Sequence, residues 1–356
     1  MIAGQPPAWQ TTAPAQKPQT RAVSAQALRW VPAGLLSFVC LCEAACVILL
    51  VLLPATGVTP PLGTAFSSLG GDAAIARPSA FSAAVAWAGL FTYVLLWALA
   101  IASAIAVSRT PPGHIPLWLY SREPGDQAYF HNVLQAVEKK LDGSLRFCRK
   151  DGAFKPDRAH YCKELGLCIL CYQHWDPWTN NAIGFYNHKS YLLSLLYGGC
   201  VHGAGLLLLL QRVQRQWPAV NAAQPPQLVL LHALRSGGDA ALLGFAALAT
   251  LASAVLAVSC LLWLGFHAML VARGTTAHTF FRQGGWKRNK PPKPVLAGKP
   301  FDFGIKGNFL RAFGRQPYLW FLPTNQGVEG NGIFFELKLE PGVGAGGDEW
   351  ASWSPK

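Results

Sequence analysis

Charged residues are scarce in this chain: Asp, Glu, Lys and Arg supply 13% of its 356 residues, about half the share of an ordinary globular protein. That shortage argues against a soluble enzyme. Acidic residues are the rarer sign, 17 against 30 basic ones, which leaves a formal charge of +13. The sequence shows no internal repeat of solenoid period, so a stacked-repeat architecture is excluded. No RNA- or DNA-binding motif accompanies the basic residues, so their excess does not point to nucleic acid. Apolar residues, by contrast, make up 51% of the chain, with a mean hydropathy of +0.25. A disordered regulator would have low hydrophobicity.

The apolar residues concentrate in four windows, Val31 to Leu53, Phe81 to Val107, Tyr191 to Leu210 and Ala240 to Val271. Each has the roughly 20 residues that a helix rising 1.5 Å per residue needs to cross about 30 Å of hydrocarbon. The second carries no charge between Arg77 and Arg109, whereas a soluble helix of that length keeps a polar face. The first follows Lys17, Arg21 and Arg29 like a signal sequence, but its run exceeds a cleavable apolar region and reads as an uncleaved anchor. Basic residues are retained on the cytoplasmic side of a membrane. Three lie in the N-terminal tail, eleven between 108 and 189 and twelve from 272 onward, 26 of the 30 in all. The other side carries only Arg77 in its first loop and Arg212, Arg215 and Arg235 in its second. Both termini and the middle loop are therefore expected in the cytoplasm, where the charge also suits anionic lipid headgroups.

Boundaries follow. Residues 1–28 are a Pro-, Gln-, Ala- and Thr-rich disordered tail; 29–107 hold helices 1 and 2; 108–190 form a cytoplasmic module; 191–271 hold helices 3 and 4 with a lumenal loop; 272–356 are a cytoplasmic tail. In that tail KPPKPVLAGKP, 290–300, reads as an extended linker, and 341–356 are Gly-rich without periodicity. The predicted fold is an all-α polytopic membrane protein, four transmembrane helices with a small irregular cytoplasmic Cys-rich module between helices 2 and 3.

Of nine cysteines, Cys40, Cys42, Cys46, Cys200 and Cys260 lie in spans as small hydrophobes. Cys148, Cys162, Cys168 and Cys171 cluster in the middle loop, where a reducing compartment favours metal or catalytic roles over disulfides. The loop reads CRKDGAFKPDRAHYCKELGLCILCYQHWDPWTNNAIGFYNHK from 148 to 189. It resembles the DHHC-type protein S-acyltransferases, the palmitoyltransferases. The resemblance rests on Cys148, Lys155-Pro156-x-Arg158, Cys162, Cys168, His174, Pro177-Trp178, Asn180-Asn181, Gly184-Phe185 and Asn187. Thr275-Thr276 matches the family's TTxE element after the fourth span, with His278 in place of its glutamate, and the segment FDFGIKGNFLRAFGRQPYLWFLP matches its C-terminal motif, with Asn308 at the asparagine. The matched region runs from about 30 to 335.

The resemblance implies two-step transfer, in which a motif cysteine takes a fatty acyl group from acyl-CoA and passes it to a protein cysteine at the membrane. It implies Golgi or endoplasmic reticulum as the location, and membrane lipid, protein clients or an active paralogue as partners. Such chemistry needs a thiolate, an imidazole base and a carboxylate to orient that base. At the Asp-His-His-Cys positions this chain has Gln173, His174, Trp175 and Asp176. Carboxylate attack by Asp176 on a thioester would form a mixed anhydride, uphill, whereas thiol attack exchanges one thioester for another. Gln173 cannot stabilise an imidazolium, and the comparable amide-for-carboxylate change lowers the rate about 10⁴-fold.

The family's two structural zinc ions each need three Cys and one His in closed tetrahedral coordination. Here the first set reads Cys148, Asp151, Tyr161 and Cys168, and the second Cys162, Leu165, Trp175 and Ala182. At most one ion is expected, with Asp151 offering oxygen or the neighbouring His160 swinging in. Leu165, Trp175 and Ala182 suit apolar filling of the second void. Cys171 is the alternative nucleophile, five residues before Asp176, against the plainer reading of a buried free thiol. Lys155 and Arg158 suit the phosphates of CoA, or else pair with Asp157 and Glu164. Trp178 matches a family tryptophan near the acyl pocket; Asn308, Thr275 and Thr276 complete the candidates around acyl-CoA.

Glu43 within the first span is read either as an interhelical hydrogen-bonding group or as part of an acyl cavity. His202 and His267 are read as polar contacts between helices, since no acidic or sulfur partner has matching spacing in the sequence. The leading expectation is a catalytically silent relative that acts as a scaffold or binds acyl-CoA. The alternatives are a divergent active palmitoyltransferase and a four-span protein of unrelated transport or structural activity.

Overall fold

Long runs without charge or proline become helices here, and each ends where the sequence stops supporting one. A computed structural model of the chain describes residues 31–48, 52, 79–120, 127–140, 142–223, 238–285 and 300–338. The tail 1–28, most of the linker 290–300, the segment 341–356 and both expected lumenal connections, 53–78 and 224–237, lie outside the described residues, as do residues 49–51 and 53 of the first window.

Helix α1 is Val31–Val47. Helix α2, Ala80–Arg109, begins at Ser79, whose hydroxyl accepts the Ser82 N–H, and ends at Thr110. The end is set by Pro111-Pro112, since a residue before proline is pushed out of the helical region. A short helix α3, Gln127–Leu134, precedes six strands. They are β1 Phe147–Cys148, β2 Ala153–Phe154, β3 His160–Cys162, β4 Leu167–Ile169, β5 His174–Asp176 and β6 Asn181–Ile183. They pair as three antiparallel hairpins, β1 with β2, β3 with β4 and β5 with β6. Helix α4, His188–Ala223, and helix α5, Gly238–Ala272, follow, then α6, Ala277–Arg282, and α7, Gly304–Phe313.

This corrects two expectations. The middle module is not irregular and the fold is not all-α: turn-forming segments such as Arg149-Lys150-Asp151-Gly152 and Lys163-Glu164-Leu165-Gly166 fold the loop back on itself often enough for short ladders to satisfy its buried backbone. Helix α4 also continues past the expected span, so Arg212 and Arg215 stand in a helix and not in a loop.

Three helical stretches are long and apolar enough to cross a membrane, Ala80–Arg109, His188–Gln211 and Ala247–Ala272, and Leu36–Val47 is a shorter apolar helix. Their outer faces are apolar, as at Phe91, 70% exposed, and Leu262, 71% exposed. Helix α4 packs against both α2 and α5, while α1 lies on α5 and α4. Between α1 and α4, His202 meets both an acid and a sulfur: its Nδ1 is 2.5 Å from Glu43 Oε2 and its Nε2 is 3.8 Å from Cys40 Sγ. His202 is thus the expected polar contact between helices, and Glu43 an interhelical hydrogen-bonding group; their partners lie about 160 residues apart in the chain, which local spacing cannot show.

The module is built on two apolar clusters and one polar one. Ile115, Leu119, Phe130, Leu145 and Phe154 form the larger core. The buried Arg146 guanidinium pairs with Glu138 at 2.7 Å and donates to the carbonyls of Glu138, Ala159 and Pro156. Asp157 accepts the backbone N–H groups of Val137 and Glu138. These bonds tie the segment after α3 to the connection between β2 and β3.

Candidate functional site

The third hairpin is clamped to the helices by two asparagines. Asn181 donates through Nδ2 to the carbonyls of Val107 and Thr110 at the end of α2. Asn187, wholly buried, donates to the Ala182 carbonyl and accepts the Gly184 N–H, both at 2.8 Å, just ahead of α4. Gly184 has no room for a side chain, since a Cβ there would stand 2.5 Å from the Pro112 carbonyl oxygen. The hairpin is thereby fixed where α2 ends and α4 begins.

On this hairpin His174 opposes Ile183, Trp175 opposes Ala182 and Asp176 opposes Asn181. The His174 ring lies against Tyr191, Trp263 and His267, with centroids 5.3, 5.7 and 5.3 Å away. Its Nδ1 is buried without a hydrogen-bond partner. Burial pushes the imidazole below its ordinary pKa, against a smaller upward pull from the Asp176 carboxylate, so the ring is held neutral. Gln173 does not serve it: its Oε1 accepts the Ala277 N–H at 2.7 Å, at the first turn of α6.

Asp176 is 5% exposed. Its Oδ2 accepts the Thr179 hydroxyl at 2.6 Å and the Thr179 N–H at 3.2 Å, while Oδ1 lies 3.4 Å from the Trp178 N–H. Such local carboxylate-to-backbone bonds are characteristic of turn residues, and here they brace the loop between β5 and β6. Cys171 has a left-handed φ of 49° and is 8% exposed. Burial pushes its thiol up to about 11.

Residues 142–284 match the model of the DHHC palmitoyltransferase family. The chain is 30% identical over 237 residues to Palmitoyltransferase ZDHHC15A of Danio rerio, covering 62% of each chain. It is 28% identical to Palmitoyltransferase PFA3 of Yarrowia lipolytica over 58% of this chain and 53% of that one, and 29% identical to Palmitoyltransferase ZDHHC2 of Mus musculus over 62% and 56%. Residues 142–284 carry a DHHC palmitoyltransferase domain. The chain spans less than two thirds of the length of these relatives.

The positions at which a DHHC protein would hold zinc are occupied by groups that bond or pack among themselves. The Asp151 carboxylate accepts the Cys168 N–H at 2.7 Å and the Tyr120 hydroxyl at 3.2 Å. The Cys168 thiol bonds to Cys148, holding Cys148 down to about 6 and pushing Cys168 up. His160 does not turn toward them; its ring lies tilted against His278 with centroids 3.9 Å apart. At the second set, Cys162, Leu165, Trp175 and Ala182 belong to one apolar cluster with Ile169 and Tyr172. Among the described residues no group of three or more His, Cys, Asp or Glu side chains is arranged to hold a metal ion, and the donor set does not fit the two zinc ions that the resemblance implies.

The remaining candidates divide by position. Trp178 is 51% exposed at the tip of the third hairpin, and Lys155 is half-buried beside the Cys148–Cys168 pair. Arg158 faces inward, donating to the Gly274 carbonyl with its guanidinium 4.5 Å from the centre of the Phe301 ring. Thr276 caps α6 through the Thr279 N–H, and Thr275 precedes it. Asn308 accepts the Phe303 N–H and donates to the Ala272 carbonyl and Asp302, joining α7 to the end of α5. The grouping of His188 and His267 with His174 was not legible beforehand. His188 Nε2 lies 3.4 Å from His267 Nδ1, and the available signal was a histidine near the module end of each of two helices that pack together.

Proposed function

We propose that this chain is a membrane-embedded palmitoyltransferase relative that keeps the frame of the transfer site without its chemistry, and that it acts as an acyl-CoA binder or scaffold. The observation that carries this reading is Asp176: a carboxylate stands where the resemblance expects the nucleophilic thiol, and it accepts hydrogen bonds from Thr179 on its own loop. An oxygen nucleophile there would have to break those bonds to form an anhydride of higher energy than the thioester. The base is neutral but lacks an orienting carboxylate, because Gln173 is bonded to the Ala277 N–H. Against a divergent enzyme using Cys171, that thiol is buried and raised to about 11, leaving little thiolate at neutral pH.

In this reading four helices cross the membrane, α1 included, and both termini and the hairpin module face the cytoplasm of the Golgi or endoplasmic reticulum. Trp178 and Lys155 border the acyl-CoA site, while Arg158, Thr275, Thr276 and Asn308 hold the module and α7 against α5. Membrane lipid, protein clients and an active paralogue are its partners. The decisive experiment incubates purified protein with an alkyne-tagged palmitoyl-CoA. Saturable binding without hydroxylamine-sensitive labelling is expected; a hydroxylamine-sensitive label on the protein, or transfer to a cysteine peptide, would overturn the reading.

A further inference from the structure

We propose that Cys40 is a base-assisted nucleophile in the interior of the helix bundle, a modification site for lipid-borne α,β-unsaturated aldehydes, separate from the His174 site. Cys40 and Glu43 are three residues apart on α1 and so share a face. Across from them, His202 of α4 places one ring nitrogen on each. Glu43 Oε2 is 2.5 Å from Nδ1 and Cys40 Sγ is 3.8 Å from Nε2. The carboxylate fixes the ring proton on Nδ1, which leaves the Nε2 lone pair facing the thiol. This is the nucleophile, base and orienting-acid order that activates a thiol. Among the described residues, Cys40 is the one cysteine so placed.

A second observation marks the place as built to receive a polar atom. Glu43 is wholly buried and Tyr93 is 2% exposed, yet Glu43 Oε1, Tyr93 Oη and Trp97 Nε1 are all buried without a hydrogen-bond partner. Leaving such groups unpaired is costly in a native interior. Tyr93 faces both Glu43 and Cys40, and the Trp97 ring meets His202 edge-on with centroids 5.6 Å apart. Gly205 lets Glu43 and Tyr93 come close to the backbone of α4: a Cβ there would stand 2.7 Å from Glu43 Oε1 and 3.4 Å from Tyr93 Oη. Tyr93 O–H is thus a donor beside the thiol, with the Trp97 N–H against its oxygen, suited to a carbonyl oxygen.

Depth selects the reactant. His202 is fourteen residues beyond the first residue of α4, roughly 21 Å along the helix axis, farther than the charged headgroup of a coenzyme A thioester can follow. The reactant must dissolve in hydrocarbon and carry a carbonyl next to an electrophilic carbon, as an alkenal does. The Cys40 proton passes to His202 Nε2 as sulfur bonds to the β-carbon. The C=C π pair shifts to give an enolate, whose oxygen takes the Tyr93 donor while Glu43 faces the imidazolium. The imidazolium then returns the proton to the α-carbon, so the addition needs no leaving group or oxidant.

Cys200 is exposed on the outer face of α4 and supplies an internal standard. Full-length protein in lipid nanodiscs is treated briefly with alkyne-tagged 4-hydroxynonenal, and adducts at Cys40 and Cys200 are quantified by peptide mass spectrometry. General-base assistance predicts Cys40 modification about 10²-fold faster than Cys200. It also predicts a comparable loss of the Cys40 rate in His202→Gln, a smaller loss in Glu43→Gln, and an unchanged Cys200 rate in both. Equal or slower labelling of Cys40 in the unsubstituted protein overturns the proposal, whether or not the variants fold. So does a Cys40 rate indifferent to His202→Gln while the Cys200 rate holds. The depth argument rests on the four-span reading above, but the Cys40-to-Cys200 ratio does not.

Discussion

At position 176 a carboxylate is held by its own turn. Thr179 supplies a hydroxyl and an N–H to it, bonds that a thiol would make only weakly. Asp176→Cys should therefore lower stability by about 1 kcal/mol while allowing a slow hydroxylamine-sensitive self-label from palmitoyl-CoA. Adding Gln173→Asp should raise that labelling rate by up to about 10⁴-fold, since a carboxylate can keep the Ala277 N–H and also stabilise the His174 imidazolium. A double variant that labels no faster than Asp176→Cys would show that residue 173 cannot reach the imidazole in this frame. Asn187 makes the opposite case, of a motif residue whose work is mechanical. Asn187→Ala leaves the buried Gly184 N–H and Ala182 carbonyl unpaired and should cost about 1–3 kcal/mol in thermal melts, with the loss appearing as loosened docking of the third hairpin.

Among the hairpins, the Arg146 network and the apolar cluster around Cys162 hold the module together. Addition of a zinc chelator should leave the melting temperature of the purified protein unchanged, and a drop would reveal an ion that this donor set does not explain. Arg146→Ala leaves Glu138 charged and buried without its partner, a loss of roughly 3–5 kcal/mol for a pair of this kind, measurable as faster proteolysis of the module. The contact of His160 with His278 adds a pH dependence. Burial pushes both imidazoles below their ordinary value. Below about pH 6.5 the unfolded chain therefore binds more protons than the folded one. Stability is fully present above that pH and falls as pH drops, by roughly 1.4 kcal/mol per pH unit for each ring that stays neutral. Hydrogen exchange in β3 and α6 should accelerate between pH 7 and pH 5, and His160→Phe should flatten the profile. An unchanged profile in that variant would mean that other groups carry the acid sensitivity.

For the whole molecule, the arrangement of basic residues and the docking of the module at the α2–α4 junction make one topological statement. Epitope tags at either terminus should both become reachable when only the plasma membrane is permeabilised, and a tag inserted among residues 53–78 should not. One terminal tag protected from antibody would remove the four-span reading and with it the depth argument for Cys40. The His174 geometry would be untouched, because the clamps made by Asn181 and Asn187 hold in any orientation.

The apolar windows specified helices because their length and lack of charge leave the backbone no cheaper way to satisfy itself, and the motif residues around His174 announced the family. The apolar packing of Leu165, Trp175 and Ala182 was legible as well, since their side chains are shapes that pack. Local sequence could not show which distant groups would meet. Gln173 was read as a weak partner for His174, and only the placement of α6 shows its oxygen taken by Ala277 N–H. Arg158 was read toward phosphate, and the end of α5 with Phe301 turns it inward. Glu43 and His202 were read as polar contacts between helices without their partners, and α1 and α4 make them neighbours of each other and of Cys40. Composition and spacing determined which helices are apolar enough to cross a membrane and which residues stand at the motif positions; pairing between helices far apart in the chain decided which polar groups were buried together, because a charge in a low-dielectric interior is tolerated only where a partner meets it.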